Sequence, residues 1–410
     1  MNAQNPRFPL FDSLRAIAAL SVVLFHLALA LHGFAKPHYG RYLGQLNIGV
    51  PIFFLVSGFL LYRPFVAARF AGDPLPSVGP YAIRRFFRIA PAYWVALPIV
   101  AAWTNLPAVF HNPAPYFGFA QVYDRKTLIS GYGIAWTLCL EVSFYVLLPL
   151  WAVAMRRLPR GSTRAFALTE AAPLVLIYGV TVVWLLTQVE TAHGIVVFTP
   201  SIAVLPAFLD HFALGMGLAV ASVLLLDRAP KPAAVRLVER APWLPWLAAG
   251  ALFVALCNLP QGTRAGETAR HLMGGVVAFG ILLPAVFGDD RGGAVRRLLA
   301  DRRLQWVGLV SYSLYLWHPA LIAELGKAGW DRKLGGWLGF SLVAGAVCLA
   351  VAAASFYAVE RSALRLGRRL AGRYGYQEPE SPRGAGVDHP GAPSAELAGS
   401  DPDGLPAGRN

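Results

Sequence analysis

Hydropathy divides this 410-residue chain into ten apolar stretches, at about 10–33, 47–70, 89–104, 133–155, 166–188, 201–226, 243–258, 271–287, 304–325 and 335–358. A helix needs about 20 mostly apolar residues to cross the hydrocarbon core of a bilayer. The pattern therefore predicts an all-α polytopic membrane protein of about ten transmembrane helices, the third and seventh being the shortest. No internal repeat is visible, and residues 1–370 read as one integral-membrane unit. Beyond it, 371–410 turn to Pro, Gly, Ser and acidic residues without periodicity, most clearly from 376 on, the composition of a disordered tail.

The first span, FDSLRAIAALSVVLFHLALALHG, carries Arg15 and His26 inside an otherwise apolar helix. Eleven helical residues turn through about 1100°, so both side chains lie on one face, about 16 Å apart along the axis. A charge inside a spanning helix is costly, so such residues face a bundle interior or a water-filled cavity; the plainer reading is a snorkelling Arg15 and one interhelical bond from His26. Ala28-Leu29-Ala30 resembles a signal cleavage site, but only Arg7 supplies a basic lead-in, and Asp12 and Arg15 interrupt it, so this span is expected to be retained.

Loop charge sets the expected orientation. Arg63, Arg69, Arg84, Arg85 and Arg88 lie between spans two and three, and comparable arginine clusters follow spans four, six and eight, whereas the alternate loops are poorer in Lys and Arg. The positive-inside rule then places both termini in the cytoplasm. The chain is 56% hydrophobic and 14% charged, against about 25% charged for soluble domains. Its net charge of +14 sits in the loops, where it faces anionic headgroups, so no nucleic-acid partner is implied. Cys139, Cys257 and Cys348 all fall in apolar segments and suggest neither a disulfide framework nor a zinc site.

With that orientation, residue counting places several polar side chains at membrane depth. His26, Trp136, Glu141 and His318 share the outer half, Asp210-His211 lie near the middle, and Ser57-Gly58 sit at mid-depth. Such clustering points to a polar internal cavity. Each residue also has a plainer reading. Glu141 can orient a histidine, His318 can cap a helix before Pro319, and Asp210 and His211 can pair with each other. Ser57 suits close helix packing with Gly58 better than a nucleophile, since no G-x-S-x-G elbow surrounds it. Arg84, Arg85 and Arg88 open span three as topology anchors or as an anion-capturing cluster that suits phosphate groups of a donor such as coenzyme A. The chain has no Walker or Rossmann loop and no metal-ligand spacing, so no bound metal is expected.

These motifs, in this order, resemble the acyltransferase-3 family of integral-membrane acyltransferases over about residues 8–365. Arg15 and His26 reproduce its Arg-x10-His signature, and IGVPIFFLVSGFLL is similar to its second-span motif. Arg85 to Arg88 is similar to its R-x-x-R motif, and Trp136-Thr137-Leu138 through Glu141 to its W-[ST]-L-x-x-E segment. SYSLYLWHP and Tyr357 with Glu360-Arg361 match its closing regions. Ser13, Ala16 and Ser362 depart from residues common in the family.

The resemblance implies O-acylation of an extracytoplasmic or membrane-associated hydroxyl (a sugar, glycolipid or macrolide) from cytoplasmic acyl-CoA, acetyl-CoA being the expected form, as co-substrate rather than bound cofactor. In that reading His26 is the general base, Glu141 its orienting carboxylate, and Arg15, Arg85 and Arg88 hold the donor. Trp136, His318, Asp210, His211 and Ser57 line the cavity. No appended SGNH-type domain is seen, so transfer would be completed within the membrane unit. The competing classes are a transporter or flippase lined by the same residues, and a lipid-binding sensor reading anionic headgroups through the basic loops.

Overall fold

The computed structural model describes residues 8–36, 38–192, 195–288, 293–334 and 336–373. The predicted tail from 376 onward lies outside them. Each expected apolar stretch contains a long helix: α1 (Leu10–Ala30), α2 (Gly49–Ala71), α3 (Val78–Trp103), α4 (Trp136–Arg156) and α5 (Thr163–Gln188). They continue with α6 (Leu209–Leu225), α7 (Trp243–Cys257), α8 (Arg264–Val286), α9 (Ser311–Lys327) and α10 (Trp337–Ser355). Among the described residues, strand structure is confined to the pairing of Thr191–Ala192 with Ile195–Val196.

Among the described residues, eight helices are long and apolar enough to cross a bilayer, or nine if the bent pair Ala233–Arg240 and Trp243–Cys257 is one span. The bend, 92°, falls at Ala241-Pro242, where a residue before proline is driven out of the helical region. The ninth expected stretch, 304–325, divides at Val310 into Arg302–Leu309 and α9, which is only 17 residues long. Helix α3 begins well before the predicted 89. Arginine is a good helix former, so Arg84, Arg85 and Arg88 belong to its second and third turns although hydropathy excludes them. Side-chain caps start several helices: Ser162 accepts from the Ala165 amide and Thr263 from the Gly266 amide.

Helices α2 and α6 pack backbone against backbone. A Cβ on Gly215 would lie 2.2 Å from the Leu55 carbonyl oxygen, and one on Gly58 would lie 2.5 Å from that of Phe212. Small residues allow this backbone approach, a common membrane-helix device. Ser57, expected to share the packing role, turns instead toward α4. On the outside, Leu168, Val175 and Leu176 of α5 are about 70% exposed, the apolar face that a bilayer covers. Inside, Arg69 pairs with fully buried Glu170, which also accepts from Tyr62 at 2.5 Å, so a charge that lipid would reject is matched within the bundle.

Candidate active site

Five helices enclose a cavity of about 180 Å³ that gathers Arg15 of α1, Ser57 of α2, Arg85 and Arg88 of α3, and Glu141 of α4. Tyr312 and Tyr315 of α9 complete its wall. Arg85 and Arg88 reach it together because a three-residue step returns nearly to the same helix face. The charges are only partly matched. Arg88 bonds Glu360 at 2.5 Å and lies over the Tyr312 ring at 5.7 Å, while Arg15 holds Asp12 of its own helix at 3.2 Å. Arg85 makes no ion pair among the described residues; it stacks over Tyr145, 5.7 Å from the ring centre, and its buried Nε has no hydrogen-bond partner. An anion in this cavity would find a guanidinium with unused donors, the group best suited to phosphate.

Glu360 was not singled out from the sequence as a site residue. It is almost fully buried in a single π-helical turn, Phe356–Glu360, that follows α10, and it also accepts from Ser313 at 2.9 Å. Such turns shift helix register and re-aim a side chain. Its sequence signals were the resemblance of Tyr357 with Glu360-Arg361 to the family's closing motif and an acid directly after a long apolar stretch.

His26 pairs with His318, not with Glu141. His318 Nε2 lies 3.2 Å from His26 Nδ1, with the rings edge to face. Glu141 instead accepts from Ser57 Oγ at 3.0 Å and Tyr145 OH at 2.5 Å. The expected orienting contact from Glu141 to His26 is therefore not made, because α4 turns the acid toward α2 while the histidine face of α1 meets α9. The partners assign the protons of the neutral rings. His318 Nδ1 faces the Leu314 and Tyr315 carbonyls, both at 3.0 Å, so it donates and Nε2 accepts. His26 Nδ1 faces the Val22 carbonyl at 2.9 Å as well as His318 Nε2, so it too must donate. His26 Nε2 is left with its lone pair, the atom a general base needs. The pair stands beside the arginine cavity rather than in it; Tyr315, part of the cavity wall, has its ring centre 5.9 Å from that of His318.

A second cavity, about 330 Å³, is lined by Trp136, His211, Gln45, Asn47 and His271 among others. Asp210 and His318, expected to line a cavity, line neither of the two: both are fully buried. The residues that depth counting grouped thus separate into three: Ser57 and Glu141 with the arginines, His26 with His318, and Trp136 with Asp210, His211 and His271. His271 is a residue that sequence reasoning missed, since it stood at the very edge of its predicted span.

The fold and these clusters define an all-helical polytopic membrane protein that holds a cationic cavity, a carboxylate and a histidine pair inside one bundle. Residues 9–358 match the acyltransferase domain family, and the chain belongs to it. It is 24% identical over 342 residues to the peptidoglycan O-acetyltransferase OatA of Listeria monocytogenes, covering 77% of this chain and 49% of that protein. It is 26% identical to nodulation protein 10 of Rhizobium leguminosarum, over 88% of this chain and 95% of that one. Acyltransferase MdmB of Streptomyces mycarofaciens is 30% identical over 37% of this chain and 41% of its own. The chain thus spans about half of the peptidoglycan enzyme but nearly all of the nodulation protein. No solved structure matches it.

Proposed function

We propose that this acyltransferase moves a short acyl group from cytoplasmic acyl-CoA to a hydroxyl of a glycan, glycolipid or macrolide acceptor, with His26 as the base. The observation that carries the reading is the convergence of Arg15, Arg85 and Arg88 on one cavity, with a proton-accepting His26 Nε2 about 16 Å along the helix from Arg15. A pantetheine arm has about a dozen skeletal bonds and extends roughly 15 Å at about 3.8 Å per three bonds. Phosphates held at the arginines would therefore bring the thioester to the height of His26. The cavity is below the 300–1,000 Å³ typical of whole-ligand sites, which suits a slender arm with the nucleotide left outside.

In the reaction, the acceptor oxygen attacks the thioester carbonyl as His26 Nε2 takes its proton. The C–S bond then breaks, and the proton passes to the departing thiolate, leaving ester and free coenzyme A. His318 and the Val22 carbonyl hold the imidazole in the required tautomer. The acceptor reading draws support from the peptidoglycan O-acetyltransferases among the relatives and from the second cavity, where Trp136 and several hydrogen-bonding side chains suit a hydroxyl-rich ligand. Both termini face the cytoplasm in this arrangement.

The test is thiol release from acetyl-CoA by the purified chain, with and without a panel of glycan and macrolide acceptors. Acceptor-dependent release with an acetylated product supports the reading; a folded chain that binds the acceptors but never cleaves the thioester overturns it in favour of transport. A reporter active only outside the cytoplasm, fused after residue 370, should stay silent.

A further inference from the structure

Away from the arginine cavity, α6 and α8 bring together one carboxylate and two imidazoles. Asp210 and His211 occupy the first turn of α6, and His271 the second turn of α8. Asp210 Oδ1 lies 3.1 Å from His271 Nε2, and Oδ2 lies 3.5 Å from His211 Nε2. The imidazole planes stack at 4.3 Å and 14°, and one ligand atom from each residue lies within 4.8 Å of the others. Among the described residues, two atoms of the group, Asp210 Oδ2 and His211 Nδ1, are buried without a hydrogen-bond partner. His211 Nε2 is 3.3 Å from the His271 carbonyl, so it carries the proton and Nδ1 is a bare lone pair.

We propose that Asp210, His211 and His271 form a binding site for one divalent transition-metal ion, zinc by ligand class, open toward the second cavity. Two imidazoles and a carboxylate make a borderline donor set of the kind zinc takes. Zinc bonds of about 2.0–2.1 Å in tetrahedral geometry separate neighbouring ligand atoms by roughly 3.3 Å; the 3.1 Å between Asp210 Oδ1 and His271 Nε2 is close to that value, and His211 would join through Nδ1, its free lone pair. Hydrogen bonding accounts for the Asp210–His271 contact but leaves a carboxylate oxygen and an imidazole lone pair unanswered in an apolar interior. The neighbouring cation does not answer them, because Arg270 pairs with Glu267 at 3.1 Å and donates to the Pro260 carbonyl at 2.7 Å. Three protein ligands leave a fourth position, and His211 and His271 both border the second cavity, from which water or a hydroxyl can fill it.

The test uses the full chain, purified in detergent with a tag that carries no histidines, loaded with zinc and desalted. Elemental analysis should find about one zinc per chain. Cobalt loading should give visible bands of a low-symmetry four- or five-coordinate ion. His271→Ala is the first variant, because this side chain is partly exposed and its loss leaves the buried Asp210–His211 packing in place; Asp210→Asn is the second. Either, when monodisperse, should weaken metal binding at least about tenfold. A wild-type chain that retains no zinc, cobalt, nickel or copper after loading overturns the site, as does undiminished binding by monodisperse His271→Ala. Occupancy is read without turnover, so its failure and that of the transfer reading are separate results.

Discussion

Replacing His26 and His318 one at a time separates a base from the residue that positions it. His26→Ala removes the lone pair at Nε2, and loss of a general base costs about 10²–10⁴ in rate. His318→Gln removes one of two acceptors at His26 Nδ1 and leaves the other, the Val22 carbonyl at 2.9 Å, which still holds the same tautomer. The loss is then that of one hydrogen bond, about 1 kcal/mol, or roughly fivefold in rate. His318 is fully buried and its Nδ1 serves two carbonyls, so glutamine, with an amide of similar reach, is a safer probe than alanine. The assay is initial thiol release from acetyl-CoA in the presence of acceptor, with donor affinity measured separately. Donor affinity should hold in both variants while turnover falls steeply only in His26→Ala. Near-normal turnover in a properly inserted His26→Ala, with His318→Gln inactive, would refute the tautomer argument and move the base to α9.

Other outcomes follow from the same contacts. Arg85→Ala should weaken acyl-CoA binding about tenfold or more, the worth of a charged hydrogen bond, and Arg85→Lys should recover only part of it because the planar fork is lost; calorimetry or donor-concentration dependence reads the effect. Glu360→Gln strands Arg88, whose side chain is 21% exposed, and should cost about 3 kcal/mol, the low end for a broken buried pair, seen as a lower unfolding midpoint in detergent. Gly215→Val drives a side chain into the Leu55 carbonyl and should cost about 1–3 kcal/mol or more. Gly79→Val, with nothing within 4 Å of its Cβ, should leave the midpoint unchanged.

The sequence by itself determined the ten apolar stretches, the shared face of Arg15 and His26, and the clustering of Arg84, Arg85 and Arg88 ahead of the third stretch. Each of these rests on a local property: hydropathy over about twenty residues, or an angle of about 100° per residue. Counting residues from a span's end also yields height in the bilayer, and on that basis His26, Glu141 and His318 stood together. Height carries no azimuth. How far each helix is turned about its own axis depends on packing with helices distant in the chain, such as the close approach of α2 and α6 at Gly58 and Gly215. That rotation sends Glu141 to Ser57 and Tyr145, and gives His26 to a histidine 292 residues away. The same cause hid the contacts of Glu360 and His271. One is re-aimed by a π-helical turn and the other joined to Asp210 across 61 residues, and neither contact leaves a mark in local composition. Only the tertiary structure could decide them, because an ion pair or hydrogen bond between helices depends on angstrom-scale distances that no local periodicity encodes.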